Sequence, residues 1–205
     1  MHFTYDCSTT RRKYASLQPR MEGDKFNDRF RIASARWAGY DYSQNGAYFV
    51  TICTLNRARY FGEIILPTGN WEEAELASTA QARIAWECWL QIPVRFPFVR
   101  LDSFVVMPDH VHGLLLFDKA DEKRPALNYQ NTFGPQRENL AAVIRGFKAG
   151  VSALAKQQGL EFNWQSRYHD RVVRNDAELW KIQQYIANNP ARWKHEQYAE
   201  DGLFR

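Results

Sequence analysis

The sequence predicts one α+β domain in which helices pack on a single antiparallel sheet. Three observations carry that prediction. Runs rich in β-branched and aromatic residues stand at 47–54 (AYFVTICT) and 98–107 (FVRLDSFVVM), each preceded by turn residues. A third run, 110–117 (HVHGLLLF), follows the second after only Pro108 and Asp109, the spacing of a tight hairpin. Segments with the 3.6-residue period of helices lie between and after these runs.

The elements follow in order. Gln44-Asn45-Gly46 makes the turn into the first strand, and residues 67–70 make a second turn. Leu76, Ala80, Ile84 and Cys88 recur every four residues, which predicts a helix over 71–90 with glutamates in its first turn and Pro93 and Pro97 behind it. The strand 110–117 is apolar on both faces, as a central strand is. Residues 118–138 are polar, with Pro125, Gly134 and Pro135, and read as a loop. Leu140, Val143, Ile144, Phe147, Val151 and Leu154 line one face of a helix over 140–157. Residues 161–164 allow a short strand. Asn175-Asp176-Ala177-Glu178 has the pattern of a helix start, and the helix runs through Leu179, Ile182 and Ile186 to Pro190, which ends it. Strand, helix, strand, strand, helix is a ferredoxin-like order.

Composition narrows the function. Of 205 residues, 45% are hydrophobic and 15% aromatic, enough for a core and unlike a disordered or collagenous chain. Cys7, Cys53 and Cys88 are odd in number and lack CxxC spacing, so they read as small apolar residues in a reducing compartment. No run approaches the roughly 18 apolar residues of a membrane span. MHFTYDCSTTRRK lacks the apolar core of a secretory signal, so the expected compartment is the cytoplasm. The net charge is +4, and residues 1–40, with eight basic and four acidic side chains, carry all of it. We therefore divide the chain into a basic arm, 1–36, and a domain, 37–205. Arg11, Arg12 and Lys13 in the arm are candidate contacts to a polyanion, against the plainer reading of a solvated tail.

His110-Val111-His112 is the most unusual feature. Side chains at i and i+2 of a strand point the same way, about 6.6 Å apart, so two imidazoles can converge on one metal ion. Two histidines do not complete a zinc site, no cysteine pair is present, and Leu114 stands where a third alternating histidine would be. An oxygen donor from elsewhere would suit Mg²⁺ or Mn²⁺. Tyr185 and Asn189, at i and i+4, share a helix face. Taken alone, Tyr185 is half-buried packing and Asn189 is a helix cap.

Met107-Pro-Asp-His-Val-His-Gly113 and Tyr185-Ile-Ala-Asn-Asn-Pro190, in this order and about 70 residues apart, resemble the single-tyrosine transposases of the His–hydrophobe–His class, and within it the REP-associated tyrosine transposases. The resemblance runs from about Tyr40 to Trp193. It includes TICTLNR and YFGEI within 51–65, the Phe147-Lys148 helix and WQSRYHDRVVR at 164–174. It implies that His110, His112 and Asn189 hold Mg²⁺ or Mn²⁺ and that Tyr185 is the nucleophile. The activity implied is nicking and strand transfer on single-stranded or hairpin REP-type DNA, flanked by a short guide-like tetranucleotide, through a 5′-phosphotyrosine. Lys148, Arg145, Arg167, Arg171 and Arg174 are the candidate DNA contacts in the domain, each against the reading of a solvated surface cation. No membrane and no small-molecule cofactor are expected, and a monomer is favoured over a dimer. Two other readings stay open: a hairpin-binding protein without chemistry, and a hydrolase that uses water with Asp109 or Asp170 completing a two-histidine site.

Overall fold

The computed structural model describes residues 25–26, 29–30, 40–120 and 138–200, with side chains over 40–120 and 138–196. The chain divides into two units, 1–34 and 35–205. In the first, β1 (Lys25–Phe26) pairs antiparallel with β2 (Arg29–Phe30), within the stretch that the sequence sets apart as a basic arm. Arg11, Arg12 and Lys13 lie outside the described residues, as does most of the expected 118–138 loop.

The second unit is built on a four-stranded antiparallel sheet. Its members are β3 (Gly46–Cys53), β6 (Val99–Met107), β7 (His110–Phe117) and β8 (His169–Val173), in the order β6-β7-β3-β8. That is the ferredoxin-like order, with β7 in the interior as its two-faced apolarity requires. Between β3 and the first helix lies a small ribbon, β4 (Gly62–Ile65) with β5 (Glu75–Ser78). Helices α1 (Ala80–Leu90), α2 (Ile92–Arg95), α3 (Leu140–Gln157), α4 (Asp176–Ala187) and α5 (Asn189–Glu200) complete the unit. Among the described residues no helix is long and apolar enough to cross a membrane.

Several expectations needed correction. The helix expected over 71–90 begins at Ala80, capped by the Thr79 hydroxyl on Ala82 N–H. Residues 71–73 form a 3-10 turn, and 75–78 pair with β4 instead. Gly62 makes this pairing possible, because a Cβ there would strike the Ala77 carbonyl. Residues 161–164 give a single bridge, Trp164 to Thr54, and the fourth strand forms at β8. Pro190 does not end the helical region. Asn188 caps α4, and Pro190 sits in the first turn of α5, where its missing N–H has no helical acceptor to lose. Polar α5 carries no apolar stripe in its sequence to announce it.

Strand alternation sorts the core into two layers. Tyr48, Val50, Ile52, Val111 and Leu115 face α1 and α3 and pack on Trp89, Ile144, Phe147 and Val151. Phe49 and Leu114 face the other way and pack on Ile182 and Ile186 of α4. One extra residue in β6, between Leu101 and Phe104, breaks the register. At this bulge the Asp102 carboxylate accepts from Gln183 Nε2 at 3.0 Å, which ties α4 across the sheet. Gly113 is required on the first layer, because a Cβ there would fall inside the Trp89 ring, itself stacked on Phe104 at 4.3 Å.

Replacing Gly113 by Ala should therefore destabilise the domain by about 1–3 kcal/mol through overpacking. Urea unfolding measures this, and a midpoint shift under about 0.5 kcal/mol would contradict the close approach of Trp89.

Candidate active site

The second sheet face carries the chemistry. β6 and β7 are joined by Pro108-Asp109, so the hairpin turn delivers His110 as the first residue of β7. His110 and His112 lie on the same face, and both are buried. Their Nε2 atoms are 3.0 Å apart.

Each imidazole is held from behind. His110 Nδ1 lies 2.6 Å from the Asp109 carboxylate. A carboxylate only accepts, so Nδ1 carries the proton and Nε2 presents its lone pair to His112. Asp109 is fixed in turn by Arg57, whose Nε donates to it at 2.9 Å. Arg57 reaches there from a tight turn in which Asn56 and Arg57 both take positive φ, +53° and +58°. Asp109 O receives the Thr54 N–H at 2.9 Å, which locks the turn to the end of β3. His112 Nδ1 lies 2.8 Å from the Thr51 hydroxyl, its cross-strand neighbour. That hydroxyl can donate or accept, so it serves either tautomer. Phe49 stacks on the His112 ring and Trp193 of α5 lies 5.7 Å from the His110 ring.

Burial first, then the neighbouring His110 and Arg57, pushes the His112 pKa well below the usual histidine range. His112 is therefore neutral at pH 7, with a lone pair available. Tyr185 of α4 completes the cluster, its hydroxyl 3.3 Å from His112 Nε2. The ring stands edge-on to Phe49, and the Arg192 guanidinium lies 5.4 Å from its centroid. Asn189, buried at 7% exposure, opens α5 four residues after Tyr185.

The donor set fits a divalent cation. Two imidazoles converge through Nε2, and the Nδ1 of each is hydrogen-bonded behind, the arrangement that orients metal-ligating histidines. Among the described residues no group of three His, Cys, Asp or Glu is placed to hold a metal ion. Neither carboxylate of the hydrolase reading fills the place of a third donor. Asp109 contacts the far nitrogen of His110 and Arg57, and Asp170 pairs with Val50, whose side chain faces the other layer.

The candidate DNA contacts are dispersed. Lys148 of α3 donates to the carbonyls of Gln165 at 2.6 Å and Ser166 at 3.2 Å, tying the segment before β8 to the helix. Burial lowers its pKa. Arg171 pairs with Glu178, and Arg145, Arg167 and Arg174 are exposed. Sequence reasoning missed Thr51, Arg57, Trp193 and Arg192, because their roles depend on partners far along the chain. It had weighed Asp109 only as a ligand, although its place beside His110 was the available signal for an orienting role.

Two predictions follow from this geometry. In the metal-free protein the unfolded state takes up a proton near pH 6.5 that folded His112 does not accept. Stability should then be flat above that pH and fall as pH drops below it, with a shallower fall in His112→Gln. Thermal unfolding from pH 8 to 5 in a chelator checks the slope, and equal slopes would contradict a neutral His112. Asp109→Asn, which can no longer hold His110 in one tautomer, should weaken Mn²⁺ binding by about 10–100-fold by calorimetry. An unchanged affinity would show that the pair is structural.

No family model matches the chain. An uncharacterized protein of Haemophilus influenzae is 33% identical over 174 residues, covering 82% of this chain and 93% of that one. Among solved structures, a REP-associated tyrosine transposase bound to a REP hairpin superposes with a TM-score of 0.52 at 17% identity, covering 78% of this chain and 74% of that one. A transposase-like protein of Deinococcus radiodurans gives 0.33 at 19% identity, over 75% and 95% of the two chains. The chain thus has the fold of a REP-associated tyrosine transposase, and it belongs to one family with the Haemophilus influenzae protein.

Proposed function

We propose that the chain is a nickase and strand-transferase of the single-tyrosine type, acting on single-stranded or hairpin DNA of the REP class. The observation that carries this reading is the Tyr185 hydroxyl 3.3 Å from His112 Nε2, with His110 Nε2 a further 3.0 Å from that atom. A hydroxyl nucleophile thus adjoins two imidazoles that converge through Nε2. The likeness in fold to a transposase bound to a REP hairpin supports DNA as the substrate.

His110, His112 and Asn189 would hold Mg²⁺ or Mn²⁺. When bound, the ion supplies Lewis-acid polarisation of the scissile phosphate. All three side chains are neutral, so they leave the positive charge available to the phosphate. Tyr185 Oη attacks the phosphorus, the bond to the 3′ oxygen breaks, and the phenol proton ends on the departing 3′-OH. The 5′-phosphate remains on Tyr185. One phosphodiester replaces another, so the step reverses without ATP, which suits strand transfer better than hydrolysis. Arg192, beside the phenol ring, brings positive charge to where a phosphate would enter. His110 is kept in the productive tautomer by Asp109.

The test is a denaturing gel with a labelled single-stranded hairpin and Mn²⁺ or Mg²⁺. Wild type should form a covalent adduct. Tyr185→Phe should form none while keeping its fold and hairpin affinity, since a purely structural tyrosine would lose only one hydrogen bond of about 0.5–1.5 kcal/mol. His110→Ala and His112→Ala should also lose the adduct and keep binding, which rests on phosphate contacts. An adduct in Tyr185→Phe would move the nucleophile elsewhere, with Tyr168 the next residue to replace. Hairpin binding by wild type with no adduct would leave a DNA-binding protein without chemistry.

A further inference from the structure

On the opposite side of the sheet from Tyr185 lies a cleft of about 690 Å³, lined by Arg95, Phe96, Pro97, Phe98, Glu138, Ala142, Arg145, Gly146 and Ala149. Its floor is a stripe of small residues on α3, Ala142, Gly146 and Ala149, at the spacing of one helix face. Gly146 has a packing reason to be small, because a Cβ there would press on the Phe96 ring at 3.2 Å. The wall is Phe96-Pro97-Phe98, with the two rings 6.0 Å apart and edge to face. The rim carries two guanidinium groups, Arg95 at the end of α2 and Arg145 on α3. Behind the wall, Lys119 Nζ lies 4.7 Å from the centroid of Phe98 and donates to the carbonyls of Ser43 at 2.7 Å and Glu138 at 2.6 Å. Its pKa is lowered by burial, with Glu138 and Asp41 opposing. Glu138 is the one carboxylate of the lining.

A flat apolar floor, aromatic walls and a cationic rim match one chemistry closely. A nucleotide offers a flat base that packs on small and aromatic side chains, and a phosphate that is an anion for the arginines. The volume is within the range of pockets that take small organic ligands, about 300–1,000 Å³. The place is distinct from the reacting centre. Phe98 packs on Phe117 at 5.2 Å, and Phe117 is the far end of the strand that begins with His110. Seven residues of strand, at about 3.3 Å each, put these ends roughly 23 Å apart.

We infer that this cleft holds a segment of single-stranded DNA at a second site, remote from the phosphate that reacts. The inference rests on the reading of the protein as a DNA-processing enzyme and adds to it where an unpaired strand runs.

The probes are one hairpin oligonucleotide without overhang and the same hairpin with a ten-nucleotide single-stranded tail, compared by fluorescence anisotropy at two salt concentrations. Two variants are used. Arg95→Ala/Arg145→Ala removes the rim charges, and Ala149→Glu places a carboxylate on the floor at an exposed position. The affinity ratio of tailed to blunt hairpin should fall at least threefold in both variants. In the double variant the salt slope for the tailed probe should fall by about 1.4, at roughly 0.7 per phosphate contact on a single strand. Blunt-hairpin affinity reports folding in each variant. A ratio that falls less than threefold in either variant overturns the inference. Failure here is separable from failure of the proposed chemistry. A tail effect that survives in the variants, alongside normal adduct formation in wild type, removes only the cleft. A tail effect that both variants abolish, in a protein forming no adduct, removes only the nickase.

Discussion

The cost of burying two imidazoles at the start of an interior strand governs this structure. A polar group removed from water without a hydrogen bond loses on the order of 1–3 kcal/mol. His110 and His112 avoid that loss because each ring nitrogen has a partner. Asp109 holds one Nδ1, Thr51 lies against the other, and the two Nε2 atoms face each other with Tyr185 beside them. Each of those partners needs its own support. Arg57 holds Asp109 from a turn with positive φ, Thr54 fixes the Asp109 carbonyl, and Phe49 bears on both His112 and Tyr185. The cluster thus recruits β3, the turn after it, the β6–β7 hairpin and α4.

The strand that carries the histidines also divides the molecule by function. Its odd-numbered residues, Val111, Gly113 and Leu115, belong to the large core with α1 and α3. Its even-numbered residues, His110, His112 and Leu114, face α4. Rigidity comes from the first layer, where Trp89 is wedged between Phe104 and Phe147. The second layer is thinner: among the described residues its buried apolar cluster is Phe49, Leu114, Ile182 and Ile186, and there the polar groups gather. Support on one face and a polar cluster on the other suit a site whose ligands must be fixed within fractions of an ångström. The bulge at Asp102 and its bonds to Gln183 set the position of α4, and therefore of Tyr185, over that face.

Much of the fold is legible in the chain itself. The period of α3 and the Asn175 cap of α4 are visible because each depends on neighbours within a few residues. The 71–78 segment misled because its glutamates and Leu76 fit a helix locally, while its real partner, β4, lies a turn earlier and needs Gly62 to approach. Strand β8, HDRVV, is short and charged, and only pairing with β3 makes it a strand. Helix α5 has no apolar stripe, and Pro190 reads equally well as a stop or as a first-turn residue.

The site divides along the same line. The sequence alone determined that two imidazoles point to one face, because alternation in a strand is geometric, and that Tyr185 and Asn189 are one helical turn apart. It could not determine that the tyrosine meets the histidines, since residues 112 and 185 are brought together only by the packing of α4 on β7. Nor could it show that Asp109 turns its carboxylate back onto His110 and that Arg57 holds it there. Those contacts depend on the turn after β3 and the turn before β7, which are joined by the hydrogen bond from Thr54 N–H to Asp109 O. Local periodicity specified which residues share a face, and tertiary packing decided which faces meet.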